Sequence, residues 1–247
     1  MDSTAISEES WEDSQDSQEP EMDAFALKDC ALIAIATGKR AYTLKELRDT
    51  LQTIDADSIY HHFWGGLLEP RFEEREYNND FAAWVRHGLH DYPLAEQLAM
   101  VDPILHFDLE DLRQELLETI EERLDEDESS YWRVATRSFE FMRSQIVVFD
   151  TYKRLQEPEA LAEWLPSLSA SSIFYHFIDA RRRLPEGVDD FRYWFSNFGD
   201  RYQDLCQELS RLDPYFETLT GLRSKLAQTF QAYLQPEKNN RESGKLC

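Results

Sequence analysis

Apolar positions along this chain fall into two kinds of run. The first kind is dense and partly β-branched: residues 25–37, FALKDCALIAIAT, ended by Gly38, and residues 137–150, RSFEFMRSQIVVFD. Periodicity alone does not separate a buried strand from a short buried helix in the first run, but the Phe, Ile and Val of the second favour a strand. One short strand or hairpin is therefore predicted at each place. The second kind repeats at three and four residues and predicts amphipathic helices. Thr43 with Glu46 three residues on is a capping box ahead of Leu44, Leu47 and Leu51. Asp57 or Ser58, and Ser171 or Ser172, are N-cap candidates for two helices that carry histidine. Asn79 or Asp80 opens the helix that runs to Leu89, and Pro93 opens the next, through Val101. Asp108 starts a long helix with Leu109, Leu112, Leu116, Ile120 and Leu124 on one stripe.

Several of these signals occur twice, in one order. DSIYHHF at 57–63 is echoed by SSIFYHF at 171–177, and Asp80-Phe81-x-x-Trp84 by Asp190-Phe191-x-x-Trp194. Asp102-Pro103 and Leu109-x-x-Leu112-Arg113 return as Asp213-Pro214 and Leu219-x-x-Leu222-Arg223. Collinear recurrence is the mark of an internal repeat. The expected fold is mainly α: two tandem copies of a helical unit of about 100 residues each, with one short strand or hairpin per unit, related by a pseudo-two-fold axis. Residues 1–23 are expected to form a disordered acidic arm, 24–126 the first unit, 131–235 the second and 236–247 a flexible tail. The stretch DEDESS at 125–130 is the expected linker.

Composition narrows the class. The 247 residues are 42% hydrophobic, enough to bury a sizeable core, and no run of about 18 apolar residues exists to span a bilayer. The first residues lack the basic and apolar regions of a secretory leader, so a cytoplasmic location is expected. Three widely spaced cysteines, Cys30, Cys206 and Cys247, propose neither a disulfide framework nor a cysteine zinc site. The net charge of -23, from 26 Lys and Arg against 49 Asp and Glu, repels phosphate backbones and anionic lipid. The expected partner is accordingly another protein, with a basic one fitting the charge, and neither nucleic acid nor membrane.

The order of ATGKRA at 36–41, SIYHHF, NNDFAAW, a DP step, SIFYHFIDARRRL, DDFRYWF and LDPYFETLTGLRSKL resembles a bacterial and archaeal family known as domain of unknown function 5752. The resemblance covers roughly residues 25–233. It implies a duplicated, mostly helical cytoplasmic protein, and it carries no activity, cofactor or catalytic residue with it. The acidic arm lies outside it.

Candidate chemistry then rests on the residues themselves. If Ile59 starts its helix, His62 and Phe63 share its face, and Ile173, His176 and Phe177 repeat the arrangement. A buried imidazole needs hydrogen-bond partners, and Asp80 and Asp190 recur at the right places to supply them. The favoured reading is a packing and hydrogen-bonding post used twice; the alternative is a general base, His62 with Asp80 or His176 with Asp190, in a cleft between the units that binds a substrate or small ligand. His87 and His90, at i and i+3, are an alternative metal pair against a favoured reading of no metal and no cofactor. No phosphate-binding glycine loop and no Gly-x-Ser-x-Gly elbow is present. Arg181, Arg182 and Arg183 form the one basic cluster, expected to pair with neighbouring carboxylates. For partner binding the candidates are Trp11 and Met22 in the arm, Trp64, Trp132 and Trp164, which lack the pairing of Trp84 and Trp194, and Arg181 and Arg182. The leading function is a non-catalytic scaffold or adaptor.

Overall fold

A computed structural model describes residues 24–69, 76–106, 108–184, 187–215 and 218–234. The expected acidic arm with Trp11 and Met22, and the expected tail at 236–247, lie outside the described residues. The chain starts with strand β1 (Phe25–Thr43) and continues through helices α1 (Leu44–Leu51), α2 (Ala56–Trp64), α3 (Asp80–Trp84), α4 (Tyr92–Ala99) and α5 (Leu109–Glu126). Strand β2 (Val134–Leu155) follows, then α6 (Pro158–Trp164), α7 (Ala170–Ile173), a π-helical stretch at Phe174–Asp179, α8 (Ala180–Arg183), α9 (Asp190–Phe195), α10 (Gln203–Ser210) and α11 (Leu219–Leu234). The Thr43–Glu46 capping box is present: Thr43 Oγ1 accepts the Glu46 N–H at 3.1 Å and Glu46 Oε2 accepts the Thr43 N–H at 3.3 Å.

The fold differs from two tandem helical units. Among the described residues 61% are helical and 20% lie in one antiparallel two-stranded sheet, and no evidence of tandem repeats is found. The two strands are not short local elements: they run 19 and 22 residues and pair with each other from Phe25–Leu155 to Thr43–Val134. Gly38 misled the sequence reading. It is not the end of β1 but part of a bulge, at φ +75°, after which the strand resumes. Helices from before and after β2 then pack on this shared ribbon around one hydrophobic core, with Phe63, Phe81, Phe141, Phe174, Phe177, Phe191 and Phe230 fully buried. The expected linker is likewise no free joint, since α5 runs to Glu126 and a short 3-10 turn, Glu128–Tyr131, leads into β2.

Three register shifts interrupt the ribbon, the last between Ala41 and Thr43, and the first two position the site. Leu27 pairs with Lys153 but Lys28 with Asp150, leaving Thr151 and Tyr152 without partners; Ala36 pairs with Met142 but Arg40 with Glu140, leaving residues 37–39 opposite Phe141 alone. Each extra loop contains a residue with positive φ, Tyr152 at +61° and Gly38 at +75°. Between the first two shifts, directly opposed residues share a face. Cys30, Leu32, Ser144 and Ile146 face the core, whereas Ala31, Ile33, Ile35, Val147 and Phe149 form the opposite face.

A Cβ at Gly38 would meet nothing within 4 Å, so only backbone strain opposes a side chain there. Gly38→Ala is expected to cost about 1 kcal/mol in urea unfolding, and Tyr152→Gly to recover about 0.5 kcal/mol. Cys30 tests the inner face. Its thiol is 5% exposed, donates to the Ser171 carbonyl at 3.4 Å, and is pushed up to about 12 by burial, with Asp179 and Asp29 adding to the effect. Iodoacetamide at pH 8 is expected to modify Cys30 only as the chain unfolds; modification at the rate of a free thiol in the native protein would contradict this packing.

Candidate functional site

Each of the first two register shifts leaves backbone groups that the ladder does not serve, and the same three side-chain types serve them. At the first, Thr151 Oγ1 donates to the Leu27 carbonyl at 2.5 Å, Ser172 Oγ donates to the Lys28 carbonyl at 2.8 Å, and the Lys28 N–H donates to His176 Nε2 at 2.9 Å. At the second, Thr37 Oγ1 donates to the Phe141 carbonyl, Ser58 Oγ donates to the Met142 carbonyl, both at 2.6 Å, and the Met142 N–H donates to His62 Nε2 at 3.2 Å. Serine and histidine stand four residues apart on one helix in both cases, so the pair grips the N–H and C=O of a single residue much as a neighbouring strand would. The true N-caps of these helices are Asp55 and Ser169, upstream of the predicted ones. That shift of start places Ser58 and Ser172 inside the helix, where they can act with the histidines.

The tautomers follow. Nε2 must accept, because it faces an N–H, so the ring proton sits on Nδ1 and donates to a carboxylate. His62 Nδ1 lies 3.0 Å from Asp80 Oδ2 and His176 Nδ1 lies 2.6 Å from Asp190 Oδ2. The two histidines are 3% and 2% exposed and packed among aromatic rings, Phe81, Phe139 and Phe141 around His62 and Phe25 and Phe191 around His176. With both ring nitrogens engaged, neither imidazole has a lone pair left to take a substrate proton.

The same reasoning weighs metal sites. Among the described residues His61, His62 and Asp80 have ligand atoms within 4.8 Å of one another. Binding a metal through His62 Nδ1 would force the proton onto Nε2, against the Met142 N–H, and His61 Nδ1 is engaged with Ser144 Oγ at 2.8 Å. This donor set therefore does not fit a metal while the strand is held. His87 and His90 do not join it: His87 Nε2 bonds Glu76 Oε2 at 2.9 Å on the surface, and His90 terminates its helix at φ +57°.

The remaining candidates separate. Trp64 is buried, its Nε1 donating to the Tyr215 hydroxyl, whereas Trp132 is 84% exposed and Trp164 carries the Lys153 ammonium over its ring at 3.6 Å. Arg182 and Arg183 reach the buried Asp179 at 3.5 and 2.7 Å, and Arg183 also reaches Asp190 at 3.2 Å. Arg181 takes part in neither pair. Sequence reasoning took Ser58 and Ser172 for N-cap candidates and missed Thr37 and Thr151. The serines had a signal, the shared Ser-x-x-x-His spacing, but it has no meaning until the bulges are known, and the two threonines had none.

The fold and its two grips define a helix-clamped β-ribbon protein. The comparisons place it: residues 22–231 match the family of unknown function DUF5752, and the chain belongs to that family. The structure of OrfY from Thermoproteus tenax is similar, at 26% sequence identity and a TM-score of 0.74, over 85% of this chain and 97% of that one. No curated protein matches.

His62→Ala strips a buried N–H and a carboxylate of their partner and leaves a cavity, and is expected to cost about 2–4 kcal/mol. Hydrogen exchange at the Met142 amide should accelerate in that variant beyond the global loss of stability. In His176→Ala the Lys28 amide should respond instead. Equal acceleration of both amides in either variant would contradict separate grips.

Proposed function

We propose that this chain is a non-catalytic cytoplasmic scaffold or adaptor that binds another protein through the outer face of the β1–β2 ribbon. The observation that supports it is the exposure of that face: Ala31, Ile33, Ile35, Val147 and Phe149 line it, with Ile33 48% and Phe149 51% exposed. On a protein with a net charge of -23, an exposed face rich in apolar side chains, with Asp29, Arg143 and Gln145 among them, is the surface a partner would cover. Trp132, just ahead of β2, adds an exposed aromatic anchor of the kind that dominates interfaces. Trp64 is already enclosed and is not available for this purpose.

Local charge refines the partner. The ribbon carries seven basic and three acidic side chains within the acidic chain. The net charge alone favours a basic partner, but the ribbon itself, where basic side chains outnumber acidic ones, suits a neutral or acidic apolar segment. The enzyme alternative, with His62 and Asp80 or His176 and Asp190 as a base in a cleft, has weaker support, since those groups hold the strands.

A photo-crosslinking amino acid at position 149, with position 193 on α9 as an equally exposed control, tests the reading in the native host. A heterologous protein is expected to be captured from position 149, not from 193, and to be lost when Ile33→Glu is added. Equal capture at both positions, capture of only a second copy of this chain, or no capture at 149 would each refute it.

A further inference from the structure

Tyr60, Trp64, Ile104, Arg181, Arg182 and Tyr215 line a small pocket, of about 20 Å³, between helices that precede and follow β2. That volume holds roughly one water-sized group. Arg181 sets its chemistry. The guanidinium lies over the Phe177 ring at 4.6 Å, and its Nε and Nη2 atoms are fully buried without a hydrogen-bond partner. These two donors share one edge of the guanidinium, the edge that receives two oxygens of a carboxylate or phosphate side by side.

The neighbouring acids Asp179, which also lines the pocket, and Asp189 are already paired with other side chains. Asp179 receives the Tyr60 hydroxyl at 3.0 Å and the side chains of Arg182 and Arg183. Asp189 receives Arg192 Nε at 2.6 Å and the Arg192 N–H at 2.9 Å. Burial accordingly pushes the Arg181 pKa down, with Asp189 opposing the shift. A second cation borders the pocket, the Arg182 guanidinium 4.4 Å above the Tyr60 ring. The Tyr215 hydroxyl accepts the Trp64 indole N–H, which leaves its own proton to donate.

We propose that this pocket binds the oxyanion group of a small molecule, a carboxylate or a phosphate, held by the Arg181 fork and the Tyr215 hydroxyl with the body of the ligand outside against the aromatic rim. The site is separate from the ribbon face and stands whether or not that face binds a protein. A water molecule would answer the donors but not the charge, and an oxyanion answers both.

Thermal unfolding of the full chain in sodium chloride, phosphate and acetate at matched ionic strength tests it. Phosphate or acetate is expected to raise Tm in a saturable manner beyond chloride, and the more effective of the two identifies the group. Arg181→Met should weaken the response at least about tenfold, without lowering Tm in chloride, because it removes an unanswered buried charge. Arg181→Lys keeps the charge and loses the fork, so it should lose the response as well and decides the matter if the Met variant fails to fold. Equal effects of all three anions, no effect of any, or a full response in either variant would overturn the proposal.

Discussion

A ribbon of only two strands has no third strand to answer the peptide groups that point away from the ladder, and at a bulge even ladder groups lose their partners. Each buried group left unanswered costs about 1–3 kcal/mol. This protein meets that demand at Lys28 and Met142 with side chains instead of backbone. A serine supplies a donor to the carbonyl, a histidine supplies an acceptor to the N–H, and a carboxylate fixes the histidine tautomer so that it can accept. Much else in the core follows from this. The helix that carries each pair must lie against the strand edge, and the Phe rings around each imidazole keep water from competing for the same atoms.

The two grips also cross. Residues from α2, early in the chain, hold β2, while residues from α7 and the π-helical stretch after it hold β1. That crossing is why the sequence-level picture of two tandem units failed even though the recurring phrases were real. Each phrase marks a matching local contact: the Ser–His grip, the Asp80 and Asp190 partners, Arg113 and Arg223 donating to the Leu51 and Leu168 carbonyls, and Asp102 and Asp213 accepting the N–H of Ile104 and Tyr215. Local chemistry of this sort is legible in a sequence because spacing alone determines it. Which strand each helix grips is not, because it depends on pairing between residues 91 to 130 positions apart.

The same division explains the other successes and failures. The capping box at Thr43 and the stripe from Leu109 to Leu124 were readable from spacing, and both are present. Strand lengths were not, because Gly38 has the same appearance in a turn and in a bulge, and Tyr152 gives no warning that it adopts positive φ. The three arginines at 181–183 are adjacent in sequence, yet a helix turns them to different surroundings, so that Asp179 takes two of them and the first lines a small pocket with two unpartnered donors. Adjacency predicted one common role; geometry divided it. The surface ion pairs that are numerous elsewhere, such as Lys45 with Asp49 or Arg201 with Glu159, add little by comparison, since exposed pairs contribute at most about 1 kcal/mol each.

Crossed grips have a kinetic side. The contacts that complete the ribbon are long-range, Lys28 and His176 standing 148 positions apart and Met142 and His62 80. Helices α1 to α5 form from local contacts, but β1 cannot acquire its pairing until β2 exists, and its bulge is not closed until His176 arrives. During synthesis β1 therefore emerges first and waits, as an unpaired run of Ala, Ile and Leu, for most of the chain to follow. High contact order of this kind slows folding and prolongs the exposure of a strand edge, which makes the early helices and the charges around them the natural guard of an unfinished ribbon.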